Sequence, residues 1–371
     1  QNKLGADVRT ITRSGTPGIG AVMFIRGLNS LNANVQPLFV VDGVIWDLQD
    51  GNETIHMGLY NNVLNAIDVN DIRDVKVIKN GTAIYGARGA NGVVIINTKR
   101  GESMATRITA NIYANVALTP STPKMLGTED FRIYANEMIG TMDIRANTDF
   151  GFLRGDVPVY DESTGMLKSG YIDYYKYHNN TDWADLVYRE AFTQNYKVNV
   201  EGGDDVAKYN FSFGYTIADS PLKGNSLDRL NIRLNSDILL ADNFTTRVDI
   251  SYARVGREVL DDGMREDQTA FPVSSTGVLA AIKAPFLSPY RYASTGEIST
   301  NLDASDTWAH NILATARIAH PNSSYYNPMT ILTKGAGTQK NELEYTNMGI
   351  TVAPELVLGD FKITETFNYS L

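Results

Sequence analysis

Tyr209-Asn210-Phe211-Ser212-Phe213-Gly214-Tyr215 sets four aromatic rings at odd positions against Asn, Ser and Gly at even ones. A period of two is the signature of a β-strand, because successive side chains point to opposite faces of a sheet. The pattern recurs along the chain. In residues 107–118 every even position from Ile108 to Leu118 is apolar, while Arg107, Thr109, Asn111 and Asn115 occupy the other face. Residues 229–238 set Leu230, Ile232, Leu234 and Ile238 against Arg229, Asn231, Arg233, Asn235 and Asp237. Residues 192–201 and 244–253 alternate in the same way, and two less regular runs, 343–353 and 361–370, bring the set to about seven strands.

The connections between these runs are strongly one-sided. Gly202-Gly203-Asp204-Asp205 and Ala241-Asp242-Asn243 are tight turns, whereas the links at about 119–190 and 255–341 are long, with a moderate one at 217–228. Short turns at one end and long loops at the other are the pattern of an outer-membrane β-barrel. A soluble antiparallel sandwich also alternates, but it carries turn signals every 8–12 residues or so. The barrel is favoured by the loop lengths and by the charges and amides on the polar face of nearly every strand, as a wet lumen would carry. Within the loops, Thr128 is expected to cap a helix presenting Phe131, Tyr134, Ala135, Met138 and Ile139, and Thr181 to cap a short helix over 183–190.

Composition bounds the rest. The 371 residues are 43% hydrophobic and 20% charged, with 31 Gly and no Cys. That is enough apolar material for a sizeable core, and length alone allows about two or three domains. The missing thiols exclude a disulfide framework and Cys-ligated metal. A net charge of −9 argues against a nucleic-acid partner held by bulk charge. No apolar run reaches the roughly 18 residues of a transmembrane helix, which leaves spanning β-strands open. Gln1 follows no leader pattern, and the strand-like run 361–371 stops without a turn, so the chain reads as an internal piece of a longer protein.

The first hundred residues are built differently. Short β-branched runs at 22–26, 38–41, 75–78 and 93–97, bounded by Gly, Pro, Asn or Asp, read as buried strands. Residues 70–74 and 82–85 fit single helical turns, which makes residues 1–101 a small α/β domain. The ordered motifs Ser14-Gly-Thr-Pro-Gly18, Ile25-Arg26-Gly27-Leu-Asn-Ser30, Gln36-Pro-Leu-Phe-Val-Val-Asp42-Gly43 and Ala83-Ile-Tyr-Gly-Ala-Arg88-Gly89-Ala-Asn-Gly92 closely resemble the plug domain of SusC/RagA-like TonB-dependent outer-membrane transporters of Bacteroidetes. Thr181-Asp-Trp183, Val200-Glu-Gly-Gly203 and the Arg229/Arg233 strand extend the resemblance into residues 102–371. One departure is Lys79-Asn-Gly-Thr82, which is shorter than the family's usual run and has Asn in place of Asp.

The resemblance implies a fold: a small α/β plug followed by the first part of a membrane β-barrel of about 22 strands. It implies TonB-dependent import of an oligosaccharide or peptide. The expected partners are a SusD-like surface lipoprotein, TonB with ExbB/ExbD acting through a segment before Gln1, and outer-membrane lipid. A siderophore or cobalamin receptor without a lipoprotein, and a passive porin-like or surface-binding barrel, are the alternatives. No cofactor is expected. The resemblance also implies that Arg26 and Arg88, beside Gly27 and Gly89, lock the plug to barrel-wall glutamates; the alternative is a pair of ordinary surface arginines. Asp42, Gly43 and Gly92 complete the motif residues, with glycine placed where a tight turn or close backbone approach excludes a Cβ.

Other chemistry is weakly supported. Gly15-Thr-Pro-Gly18-Ile-Gly20 and Gly86–Gly92 match no phosphate-loop spacing. His56, His178, His310 and His320 are scattered, and there is no nucleophile elbow, so no enzyme is expected. Asp68-Val-Asn-Asp71-Ile-Arg-Asp74 lacks a calcium-loop spacing and reads as a helix start with solvated carboxylates. Tyr171, Tyr174, Tyr175, Tyr177, Trp183, Trp308, Tyr325 and Tyr326 could contact a cargo or simply pack in the loops.

Overall fold

A computed structural model of the chain describes residues 5–12, 15–30, 34–46, 54–56, 59–60, 62–122, 124–141, 162–164, 175, 178–241, 244–260, 275–293, 295–303, 305–306, 325–334, 338–358, 361–364 and 367–370. The N-terminal part opens with a hairpin, β1 (Val8–Thr12) and β2 (Ala21–Ile25). Next come β3 (Leu38–Val41), β4 (Val44–Trp46), β5 (Thr54–His56), β6 (Leu59–Tyr60), β7 (Ile72–Ile78) and β8 (Val93–Thr98). Four of these form a sheet in the order β4-β3-β8-β7, with β3 parallel to β8 and the other pairs antiparallel. Parallel pairing needs a crossover, here supplied by residues 42–92. Val8, Ile25, Phe39, Val41, Trp46, Ile67, Val94 and Ile96 bury a single core, which one alanine of the larger sheet, Ala253, enters.

Asp42-Gly43 makes the β3–β4 turn. Both residues have positive φ, 49° and 89°, the type I′ conformation that Asp-Gly favours because it matches the twist of the flanking strands. Gly89 serves closeness instead: a Cβ there would meet the Gly81 carbonyl oxygen at 2.6 Å. The 82–85 turn is a helix, Thr82–Tyr85. The expected turn over 70–74 is shorter, a 3₁₀ turn at Val69–Asp71 capped by Asp68, after which Ile72, Val75, Val77 and Ile78 carry the chain into β7.

The second part is one antiparallel meander. Its strands are β9 (Met104–Ala117), β10 (Ala191–Gly203), β11 (Ala207–Asp219), β12 (Ser226–Ala241) and β13 (Phe244–Leu260). The short strands β14 (Tyr290–Tyr292), β15 (Ile298–Leu302), β16 (Ser305–Asp306) and β17 (Tyr325–Tyr326) belong to the second long connection. The meander resumes with β18 (Thr338–Leu358), β19 (Phe361–Thr364) and β20 (Phe367–Ser370), the last two both pairing with β18 in place of one continuous final strand. Sheet order is β19-β18-β13-β12-β11-β10-β9. Pairing runs beyond the alternating segments, up to Leu260 opposite Thr338, so the connections are 118–190, 220–225 and 261–337. At the tight β10–β11 turn the Asp204 carboxylate accepts from the Val206 and Ala207 N–H groups, both at 2.8 Å. The Ala207 bond and then the Val206 bond hold its pKa below the usual carboxylate range.

The faces of this sheet are inverted relative to a soluble protein. On β11, Asn210 and Ser212 are 1% exposed, whereas Phe211 and Phe213 are 38% exposed. On β10, Asn195 and Lys197 are buried while Phe192, Tyr196 and Val198 are exposed. An apolar outer face with a polar inner one is what a lipid-facing barrel wall requires. The inner face is not a wet lumen in this part of the wall: it is covered by the N-terminal domain.

The long connections have their own small core of Trp183, Val187, Ala284, Phe286 and Leu287. Their helices span Thr128–Thr141, Trp183–Val187, Thr276–Ile282 and Pro328–Lys334. Thr128 starts its helix, but its hydroxyl donates to Asn180. The helix at 183 is capped by Asp182, not Thr181: its carboxylate reaches the N–H groups of Ala184 and Asp185 at 3.0 and 3.1 Å. Thr181 Oγ1 donates instead to the Leu287 carbonyl at 2.6 Å.

Candidate functional site

The alternation of β10–β13 aims a column of polar side chains inward, and the plug meets it with complementary groups. Lys197 on β10 sits between Asp68 and Asp71 of the 3₁₀ turn; it is ion-paired and hydrogen-bonded to Asp71, and its Nζ lies 3.6 Å from Asp68. Arg229 on β12 reaches the other oxygen of Asp68 at 3.4 Å. Two residues on, Asn231 donates to the Ala66 carbonyl at 2.5 Å. Arg233 then reaches Asp42 at 3.2 Å, and Asn235 donates to Thr98 Oγ1 and the Lys99 carbonyl at 2.8 and 2.7 Å. The period of two therefore delivers Arg229, Asn231, Arg233 and Asn235 to successive plug groups.

Asp68 and Asp71 are 2% and 3% exposed. They are therefore not the solvated carboxylates of a helix start that the sequence pattern predicts. A buried carboxylate is retained only when paired, and both are paired by cations 126 or more positions away. Asp68 has a second task, capping its own turn by accepting from the Asn70 N–H at 2.8 Å.

Charge polarity reverses towards the tight-turn end. There the plug side supplies the cation: Arg100 grips Asp237 of β12 with two bonds, at 3.0 and 2.7 Å, and Asp249 of β13 at 2.6 Å. Burial pulls the guanidinium pKa down, but Asp237 and Asp249 outweigh it and hold it above its ordinary value, so Arg100 stays charged. Trp46 and Tyr345 of β18 add an apolar contact, ring centroids 4.5 Å apart.

The residues singled out from the motifs divide between two environments. Asp42 lies in the seam: its carboxylate accepts from the Thr98 N–H and hydroxyl, both at 2.8 Å, as well as from Arg233. Gly43 shapes the turn that presents it. Gly92, with φ 89°, would place a Cβ 2.8 Å from Ile25. Arg26 (φ 61°), Gly27 (φ 91°) and Arg88 are exposed, and neither arginine makes a side-chain hydrogen bond or ion pair among the described residues. Lys197, Arg100, Asp68, Asp71, Asn231 and Asn235 were not anticipated as a site. The signal was present on the barrel side, where polar residues alternate on strands too apolar to be surface.

Among the loop aromatics, Trp183 is buried, with its Nε1 donating to the Ala284 carbonyl at 2.9 Å and Lys283 lying 5.2 Å from the ring centroid. It packs. Tyr171, Tyr174, Tyr177 and Trp308 lie outside the described residues, as do His310 and His320. A cavity of about 610 Å³ beside Trp183 is lined by Lys124, Leu126, Phe131, Asp182 and Lys283.

Residues 3–93 match the family model of the TonB-dependent receptor plug domain. The chain is 31% identical over 259 residues to TonB-dependent receptor P26 of Formosa agariphila, covering 68% of this chain and 22% of that protein. It is 33% identical over 233 residues to TonB-dependent receptor SusC of Bacteroides thetaiotaomicron, covering 62% of this chain and 20% of SusC. The chain thus spans about a fifth of the length of these relatives. Among solved structures, the RagAB peptide importer in its closed-closed state superposes with a TM-score of 0.62 at 20% identity, over 98% of this chain and 37% of that one, which is a statement of fold. With a matching plug, relatives that are TonB-dependent receptors, and a plug seated against part of a barrel wall, the chain belongs to the SusC/RagA-type TonB-dependent receptors.

Proposed function

We infer that the protein takes part in TonB-dependent import of a nutrient, an oligosaccharide or a peptide, across a bacterial outer membrane. The observation that carries this reading is the seam. A folded domain is seated by buried ion pairs on the polar face of strands whose opposite face is apolar and exposed. Such a domain blocks a lumen and moves only when its ion pairs are broken together, which calls for an external source of work. In this reading residues 1–101 are the plug and 102–371 belong to a multi-pass barrel in the outer membrane. TonB, energised through ExbB/ExbD, pulls on a segment N-terminal to the plug, and a SusD-like lipoprotein delivers cargo from the loop side. A peptide cargo is supported by the fold likeness to the RagAB peptide importer. No covalent chemistry enters this cycle.

Arg26 and Arg88 complete the reading as lock residues, pairing with barrel glutamates outside the described strands. Replacing either by Ala is expected to leave membrane assembly intact and to alter uptake; normal uptake in both variants would remove the lock from the account. The reading as a whole is tested by growth on defined oligosaccharides and peptides in strains lacking the receptor, TonB or the adjacent lipoprotein. Loss of growth on the same cargo in all three supports it. Growth that needs the receptor but persists without TonB would mean a passive pore.

A further inference from the structure

On the inner face of β10–β12, Lys197, Arg229 and Arg233 each meet a plug carboxylate. Arg257 of β13 does not. It is 2% exposed, and Nε, Nη1 and Nη2 are all buried without a hydrogen-bond partner among the described residues. Its neighbours on the same face of the strand are Val255 and Val259, and in the sheet register it stands between Leu227 of β12 and Asn341 of β18. Above it lies the loop Thr16-Pro17-Gly18-Ile19-Gly20, part of the glycine-rich stretch that matched no phosphate motif in the sequence. A Cβ on Gly18 would lie 3.2 Å from Arg257 Nε, so the loop crosses the guanidinium closely. The loop is held by identifiable side chains: Asn65 donates to the Gly18 carbonyl, Asn225 to Thr16 Oγ1 at 3.5 Å, and Ile19 packs on Val259.

A desolvated guanidinium among valines is costly unless something pairs with it. Its planar fork of donors matches the oxygens of a carboxylate or sulfate, and a neutral hydroxyl would offset little of the burial. We propose that Arg257 is an anion-binding residue of the lumen, covered by the Thr16–Gly20 loop at rest, and that it takes a carboxylate or sulfate group of the cargo when the plug loop lifts. This rests on the import reading above, and deepens it by naming an acidic cargo.

The test uses purified full-length receptor carrying Ile19→Ala and Asn65→Ala to loosen the loop, with Asn65→Ala alone as the milder variant. Arginines are labelled with phenylglyoxal and mapped by peptide mass spectrometry, with acetate or sodium sulfate as the competing anion and exposed Arg9 as internal control. The proposal expects Arg257 to be shielded in the wild type and labelled in the loosened receptor. An anion at about ten times its Kd should then slow labelling about tenfold, leaving Arg9 unchanged. Protection by acetate alone assigns a carboxylate cargo; protection by sulfate alone, a sulfated one. Labelling indifferent to both anions would overturn the proposal. So would failure to label in either variant, since another part of the receptor would then hold the guanidinium. The readout involves no import, so a negative result leaves the transport reading standing.

Discussion

The plug has a side that is satisfied by β10–β13 and a side that is not. Along the first, Asp42, Asp68, Asp71, Thr98 and Arg100 find partners on β10, β12 and β13, and most of the groups involved are buried. On the second, Arg26 and Arg88 are exposed and make no contact ion pair among the described residues, Arg26 lying within electrostatic reach of Asp7, and Ile84 and Leu28 are 68% and 67% exposed. The contrast teaches where seating energy resides. The buried side is electrostatically specific, because each desolvated charge is acceptable only opposite its partner. Motif residues on the exposed side are free to report on something other than static seating.

This difference is sharpest at Lys197. Lys197→Met would leave two carboxylates buried side by side, and removing one partner of such a pair costs about 3–5 kcal/mol. We expect plug unseating in the full-length receptor, read as a lowered denaturant midpoint of the plug and increased vancomycin entry into cells. Asp42→Ala is next. It strands Arg233 and removes acceptors from Thr98, for a loss of about 1.5–3 kcal/mol as bonds to a charged group. Gly43→Ala leaves every ion pair intact but asks a Cβ to accept φ 89°, costing about 1–2 kcal/mol; the same midpoint, without leakage, is its signature. The smallest effect belongs to Arg107→Ala. Arg107 pairs with Glu201 near the tight turns, but its side chain is 62% exposed, and such pairs contribute about 0–1 kcal/mol. A large effect there would erase the distinction between buried and exposed pairs.

Much of the architecture is legible in the sequence. Alternation at 208–216 and 229–238 gives strand and facing, because a period of two leaves no other way to separate Phe211 from Ser212. The glycines of the plug motifs were legible for the same local reason. The seam was not. Lys197 and Asp71 are separated by 126 positions, and Arg233 and Asp42 by 191; nothing in a local window says that Asp68 and Asp71 are buried. By default a carboxylate cluster belongs to solvent, and only the arrival of Lys197 and Arg229 reverses that. The cap expected at Thr181 failed for a smaller reason: Thr181 and Asp182 are adjacent, and the carboxylate outcompeted the hydroxyl for the free N–H groups.

The central claim is that the plug is held by coupled, buried charge pairs on the inner face of the wall. It is tested most directly by a double-mutant cycle in the full-length receptor, combining Lys197→Met with Asp71→Leu and reading the denaturant midpoint of the plug. The account predicts strong non-additivity: a coupling of at least about 1.5 kcal/mol, within the range of contacting residues. The parallel cycle at Arg107 and Glu201 should give almost none. Additive effects within about 0.5 kcal/mol at Lys197 and Asp71 would contradict it.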